Sequence, residues 1–550
     1  MTGPFIACET VLMCHDCNRT FASEALQGIV PKRCNVAYDL LVFVGHALFR
    51  RYRTVQEVRT ELITRNIRLS SSEIGYLGRK YIIFLAAAHR RATPQIRQKM
   101  AMAGGYILHL DATHDGDSAA LMTGIDSLST FVLANIKIPT EHTDHIIPFL
   151  KKIAANYGVP LACVRDMGTG IGKAVGEVFP GVHDFICHFH FLRDIGRDYL
   201  EPAYSRLRKC LRSHGTSTRL HALARELRPL LAENDQAAVF TKAVTRTEHL
   251  ENSDCTSLAS TYSLILWALQ GKYCGDGYGF PFDRSLLGFA ERLLELEQHM
   301  PELLQLLLNG DKPGERQPAF KLFAEACFVA EDLELREAVD ELHWRCRIFD
   351  SLRTAMRIAP VGGSRGLNDE GSPKAMATIR QGVERFRRSL DETPSLLTDR
   401  LSKKMARQID KYGDKLFADP ITVQTPLGSS TIYPQRTNNI LEQFFRKVRR
   451  GFRRKSGNNS MHKALQTMLA DTPLVKNLDN PDYMNILLDG KENLEELFAE
   501  IGETIVEKKW DLSADTGRIL PGFRALAGVP SLPDKVIQSL TGNLDTCKSN

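Results

Sequence analysis

Long apolar runs are missing from this 550-residue chain. None reaches the ~18 residues that a membrane-spanning helix needs, and the nearest, Leu40 to Phe49, is short and carries His46. The N-terminus lacks a basic stretch followed by an apolar core, so no secretory signal is expected. Paired cysteine spacing is scarce. The 12 cysteines read as thiols of a reducing compartment, not as a disulfide framework. No Gly-x-x-x-x-Gly-Lys phosphate loop occurs, so nothing calls for a nucleoside triphosphate. The expectation is an intracellular protein, cytoplasmic or nucleoid-associated. Its composition, 43% hydrophobic and 25% charged, is that of an ordinary globular chain. The length leaves room for about three to five domains.

Net charge is +6, unevenly placed. Residues 1–100 hold 15 Lys+Arg against 7 Asp+Glu, while the remaining 450 hold 56 against 58. A basic N-terminal region on a near-neutral body suggests a module that binds a polyanion. Within it, Cys14-His15-Asp16-Cys17 has the two-residue gap that lets both thiolates reach one tetrahedral Zn²⁺. Cys8 and Cys34 are the candidates for the other two ligands, and residues 1–35 read as a degenerate zinc ribbon. Residues 36–100 read as helices with a basic surface: Val36 to Arg50, Tyr52 to Thr64, and Glu73 to His89 behind Ser72 as N-cap. Two helices with a short link fit a helix-turn-helix-like DNA-binding region. Thr93 to Gly105 reads as a linker.

Residues 101–213 hold the stretch around which the chain is organised. Three apolar runs, Tyr106 to Asp111, Ala120 to Ile125 and Thr130 to Ile136, precede an amphipathic segment, Asp144 to Tyr157. Leu161 to Val164 then runs into Arg165-Asp166, and Asp184 to Cys187 closes the unit. Three strands joined by turns, then helix, strand, helix, strand, is the order of an RNase H-like sheet. In that order the first and fourth strands lie side by side, which brings Asp111 and Asp166 together. Two adjacent carboxylates resist ionisation, and a hard divalent cation such as Mg²⁺ removes that objection. Asp115 and Asp117 fall in a turn, where acids are usually turn formers.

Residues 214–430 read as helical apart from a Gly- and Ser-containing break, Gly362 to Ser372, an insertion without chemistry of its own. In residues 431–470, Thr437 is expected to cap a helix that carries Glu442 one turn in, packed through Ile440, Leu441, Phe444, Phe445 and Val448. Arg446, Lys447, Arg449, Arg450, Arg453, Arg454 and Lys455 follow with no acid among them. Such a block is usually solvated surface; beside a metal-binding carboxylate it suits a phosphate backbone. Residues 471–550 read as a helical tail.

Leu110-Asp111-Ala112-Thr113, Arg165-Asp166, Cys187-His188-Phe189-His190 and Thr437-Asn438-Asn439-Ile440-Leu441-Glu442, in this order and with a helical insertion before the glutamate, resemble the DDE transposases of the Mutator-like type and their prokaryotic insertion-sequence relatives. The resemblance covers roughly residues 100–215 and 430–470. It implies an α/β RNase H-like catalytic core interrupted by an all-helical insertion, with Asp111, Asp166 and Glu442 as the catalytic triad. Two Mg²⁺ ions are implied, with Mn²⁺ as a substitute, and Zn²⁺ at the N-terminus. Cys187 and His190 match a C-x-x-H signature near the active site. The implied partner is double-stranded DNA, both terminal inverted repeats and target, bound by a homodimer or larger assembly. The rival readings are a nuclease that cuts without joining, a domesticated DNA-binding protein without catalysis, and a zinc hydrolase using Cys187, His188 and His190.

Overall fold

The computed structural model describes residues 5–8, 10–21, 26, 28–31, 34–232, 236–246, 254–307, 313–359 and 373–501. The chain divides into two compact units, Met1–Asp184 with Val423–Ser430 and Asn439–Asn550, and Phe185–Thr422 with Thr431–Asn438. The protein is of mixed α/β class with one five-stranded sheet. Among the described residues no helix is long and apolar enough to cross a membrane.

The first unit opens with a small antiparallel hairpin, β1 (Leu12–Met13) and β2 (Thr20–Phe21). Helix α1 (Tyr38–Gly45) runs into a π-helical turn, His46–Arg50. Helices α2 (Val55–Thr64) and α3 (Ser71–Arg91) each begin on a capping box. In α3 the cap is Ser70, not Ser72, because Glu73 stands three residues on and its carboxylate accepts the Ser70 N–H at 2.7 Å. The second half of α3 differs from a surface helix: every residue from Lys80 to His89 is buried. Its exposed residues are Ser71 to Glu73, Tyr76 and Arg79 in the first half and Arg91 at the C-terminal end. The expected linker is also helix. In α4 (Thr93–Met102), Ile96 and Met100 are buried at a four-residue spacing that places them on one face.

The five apolar runs become β3 (Ile107–Thr113), β4 (Ala120–Asp126), β5 (Val132–Ile138), β6 (Ala162–Arg165) and β7 (His183–Ile186). Their order in the sheet is β5-β4-β3-β6-β7. The first three pair antiparallel, and β3 pairs with β6 in parallel. Helix α5 (Thr143–Tyr157) buries Ile146, Phe149, Leu150, Ile153 and Tyr157, the amphipathic face read from sequence. Helix α6 (Thr169–Val178) fills the crossover from β6 to β7.

The expected tail is instead part of this core as far as residue 501. Leu474, Val475, Leu478, Tyr483, Leu487, Leu497 and Phe498 are buried in the same cluster as α1 and α3. Asn477 acts as a one-residue strand on the edge of β5: its side chain accepts the Val132 N–H at 2.8 Å and donates to the Val132 carbonyl at 2.9 Å. The edge is thereby covered. His89 joins the layers, with Nδ1 at 2.8 Å from the Tyr483 hydroxyl and Nε2 at 2.9 Å from both the Leu133 carbonyl and the Tyr157 hydroxyl. The rest of the expected tail, residues 502–550, and the expected break at Gly362 to Ser372 lie outside the described residues.

The second unit starts earlier than the expected insertion, at Phe185 rather than residue 214. The reason is helix α7 (His188–His214), 27 residues long, which packs on the Leu333–Met356 helix of the same unit. A continuous helix with one buried face follows the body that covers that face. Helices then succeed one another to Leu416. The chain does include strands before the glutamate segment, contrary to expectation: a two-stranded hairpin of β8 (Ile421–Thr425) and β9 (Gly428–Ile432).

Candidate active site

Strand register brings the two aspartates together. Leu110 on β3 is paired with Arg165, the last residue of β6, so Asp111 on β3 and Asp166, just past the end of β6, follow that pair. Adjacent strands lie about 4.8 Å apart, which sets the scale of the separation. β3 itself runs on to Thr113 against β4, so Asp111 is two residues inside that pairing and is held by it. Asp111 Oδ1 accepts the Ala112 N–H at 2.8 Å. Asp166 Oδ1 accepts the Gly168 N–H at 3.0 Å. Asp166 is not the cap of α6; that position is Gly168, which makes no side-chain cap.

The glutamate arrives on the helix Asn439–Ser456. This helix starts at Asn439, so Asn438 and not Thr437 flanks it. Leu441, Phe444, Phe445, Val448 and Gly451 are buried along one stripe, and the helix lies against β3. Burying such side chains contributes about 1.5–3 kcal/mol each, enough to hold a helix that is otherwise crowded with like charge. Gly451 is needed for close approach: a Cβ there would stand 2.0 Å from the Tyr52 ring. Glu442 sits in the first turn, half-buried, where an acid also suits the helix dipole.

The Asp111 carboxyl is held well above the ordinary carboxylate range. Burial is the largest cause, followed by the charge of Asp166; Glu442 and Glu141 add to it, and the Ala112 N–H alone opposes. The guanidinium next in sequence, Arg165, gives no relief. It is turned to Asp184 in a two-pronged pair at 2.7 Å on each arm, with side-chain exposures of 5% and 13%. Carboxylates crowded at a strand end, with their raising influences unopposed by a cation, suit hard divalent ions such as Mg²⁺ or Mn²⁺.

Glu141 was missed by sequence reasoning. It lies between β5 and α5 in a Pro-Thr-Glu-His stretch that reads as a turn, and no sequence signal marks it. Its carboxyl is pushed up by burial and then by Asp166, with His114 acting the other way. The other nearby acids are structural. Asp126 accepts from Ile107, Leu128 and Ser129 backbone N–H groups at 3.1, 3.1 and 2.9 Å. Asp115 accepts the Met461 N–H at 2.6 Å, and Asp117 lies 3.2 Å from His462.

Arg446, Lys447, Arg449, Arg450, Arg453 and Arg454 are exposed on the glutamate helix. Lys455 departs from the set: it is half-buried, its ammonium 5.7 Å from the Phe49 ring centre, and burial lowers its pKa. Cys187 and His190 belong to the second unit. Cys187 flanks α7 and its sulfur accepts the Asn438 N–H at 3.2 Å. His190 is buried and its pKa is pushed down to about 3 by burial and Arg193, which keeps the ring neutral. His188 turns Nε2 to the Leu416 carbonyl.

At the N-terminus, Cys14-His15-Asp16-Cys17 forms the tip of the β1–β2 hairpin. Backbone N–H groups of Cys17 and Asp16 hold the Cys14 thiol below its ordinary range, as a zinc ligand requires. Among the described residues no group of three ligand atoms includes these thiols. The residues fit half of a zinc site. Comparisons of the sequence with protein-family models and with curated proteins found no match.

Proposed function

We propose that this protein is a DNA transposase of the DDE type, using Asp111, Asp166 and Glu442 to cleave DNA at transposon ends and join the 3′ ends to a target. The reading is supported by the strand register, which pairs the residues just before Asp111 and Asp166, and by the glutamate helix lying against β3; burial and then the charge of Asp166, with Glu442 adding, raise the Asp111 carboxyl. The sheet order β5-β4-β3-β6-β7, three antiparallel strands followed by a parallel one, is compatible with an RNase H-like core. The helices from His188 to Leu416, ahead of the glutamate helix, are compatible with the helical insertion of that reading.

Asp111, Asp166 and Glu442 are the residues that would hold divalent ions. When bound there, such ions lower the pKa of an attacking hydroxyl, neutralise charge on the phosphate and stabilise the departing 3′-oxygen. The chain's own contribution is position and charge. Pairing of β3 with β4 fixes Asp111, the end of β6 and the Gly168 N–H fix Asp166, and the helix that carries Glu442 lies against β3. No side-chain nucleophile is required, since water and then a DNA 3′-hydroxyl attack phosphorus in line. The six exposed Lys and Arg side chains of the same helix are suited to the phosphate backbone, and bound counterions would be released as they engage. The basic first hundred residues support a DNA-binding role, carried by surface other than the buried half of α3.

The test uses DNA carrying the repeats that flank the gene. Asp111→Asn, Asp166→Asn and Glu442→Gln should each abolish Mg²⁺-dependent cleavage and leave end binding intact. Near-normal cleavage by any one removes that residue from the triad. Pre-cut 3′ ends distinguish a transposase, which joins them, from a nuclease, which does not.

A further inference from the structure

Residues 166–168 join β6 to α6. The pairing of β3 with β6 ends at Arg165, so this loop lies beyond the ladder that fixes the strand before it. The Arg165 side chain reaches across the gap. Its Nε and Nη2 donate to the two carboxylate oxygens of Asp184 on β7, the strand next to β6, at 2.7 Å each. Its Nη1 is turned to the loop instead. It donates to the Asp166 carbonyl at 2.8 Å and, more weakly, to the Gly168 carbonyl at 3.5 Å. The Gly168 N–H in turn holds Asp166 Oδ1 at 3.0 Å. The guanidinium is buried, and α6 leaves room for it: a Cβ built on Gly172 would stand 2.7 Å from Arg165 Nη2.

We infer that Arg165 is a positioning residue for Asp166: its guanidinium ties the 166–168 loop to β7, and the orientation of the Asp166 carboxylate depends on that tie. This rests on the reading of Asp166 as a ligand of divalent ions. One side chain can hold both partners because a guanidinium presents its donors from three nitrogens in a fixed planar fork. Two of them meet the Asp184 carboxylate and the third meets the loop. An ammonium donates from a single atom. Lysine at this position would keep a positive charge beside Asp184 and release the loop. A group that orients a metal ligand without touching the metal changes metal affinity by about 10–100-fold when it is removed.

The experiment is Mn²⁺ binding to the full-length, metal-free protein without DNA, followed by electron paramagnetic resonance well below the melting temperature of each variant in EDTA. Arg165→Lys should bind Mn²⁺ about tenfold or more weakly than wild type. Gly172→Ala keeps every charge and every donor but pushes the guanidinium from its place, and should weaken Mn²⁺ binding in the same direction. It decides the matter if Arg165→Lys does not fold. A side chain that served the fold alone would lower the melting temperature in EDTA and leave the Mn²⁺ affinity of the folded protein unchanged. Wild-type affinity in either folded variant, with Mn²⁺ binding lost in Asp166→Asn, would overturn the inference and leave Asp166 as a ligand. No Mn²⁺ binding by wild type, or unchanged binding by Asp166→Asn, would overturn the reading of Asp166 itself, and the inference with it.

Discussion

Asp111→Asn should make the metal-free protein more stable and the metal-loaded protein less so. The register pairs Leu110 with Arg165, the residues just before Asp111 and Asp166. With strands about 4.8 Å apart and an effective permittivity of about 20, two unit charges repel by about 3 kcal/mol. Asparagine removes that repulsion and keeps an oxygen for the Ala112 N–H. For a folding unit of this size each kcal/mol moves the melting temperature by about 2–4 °C. In EDTA at pH 7.5 the variant should therefore melt about 4–8 °C higher, if about 2 kcal/mol of the repulsion survives screening. The sign with pH follows. A carboxyl whose folded pKa is raised contributes stability below its ordinary range and loses it as pH rises through the raised value. The gap between variant and wild type should thus close as pH falls below about 4. Mg²⁺ reverses the order: a ligand at about 100 times its dissociation constant adds about 2.7 kcal/mol to wild type, and the variant should gain much less. Differential scanning calorimetry in EDTA and in Mg²⁺ reads both. A variant that melts below wild type in EDTA would refute the claim that these carboxylates repel one another in a shared site.

Other changes have distinct signatures. Arg165→Ala leaves Asp184 buried without its guanidinium, and should lower stability by about 3–5 kcal/mol in denaturant titration; a loss under 1 kcal/mol would mean the pair is solvent-screened. His89, fully buried and held below its ordinary pKa by burial, gives stability that is present above about 6.5 and lost as pH falls toward its depressed value. His89→Phe should flatten that acid limb while lowering stability at pH 7.5 by about 1–3 kcal/mol, as Tyr483 loses a partner. Replacing Arg449, Arg450 and Arg453 with alanine should weaken DNA binding at every sequence, and lower the slope of log affinity against log salt by about one per lost phosphate contact. Lys455→Ala should change that slope little, because Lys455 is already withdrawn against Phe49.

Much of the first unit was legible because its physical causes are local. The five apolar runs became strands, since alternating or continuous β-branched stretches have few other homes. Asp144 to Tyr157 became α5 with the face that its spacing marks. The errors arose where distant chain decides. Thr93 to Gly105 contains Pro94 and two glycines and reads as a linker, yet Pro94 suits the first turn of a helix and burial of Ile96 and Met100 fixes it. The C-terminal stretch looked peripheral because nothing within it shows that its leucines and Tyr483 complete the core begun by α1 and α3.

By itself the sequence determined the two aspartates, each terminating an apolar run, and the acid four residues into an arginine-rich amphipathic helix. It also determined that this helix must bury one stripe, since Leu441, Phe444, Phe445 and Val448 fall on one side of a 3.6-residue period. Only the tertiary structure decided that Leu110 faces Arg165, which sets Asp111 beside Asp166, because register is a property of two paired strands and neither carries it alone. Only the tertiary structure turned Arg165 to Asp184 and set Glu141 over Gly170. Charge in a chain is counted residue by residue; whether two charges repel, pair or share an ion depends on distance and burial, and those exist only once the sheet has closed.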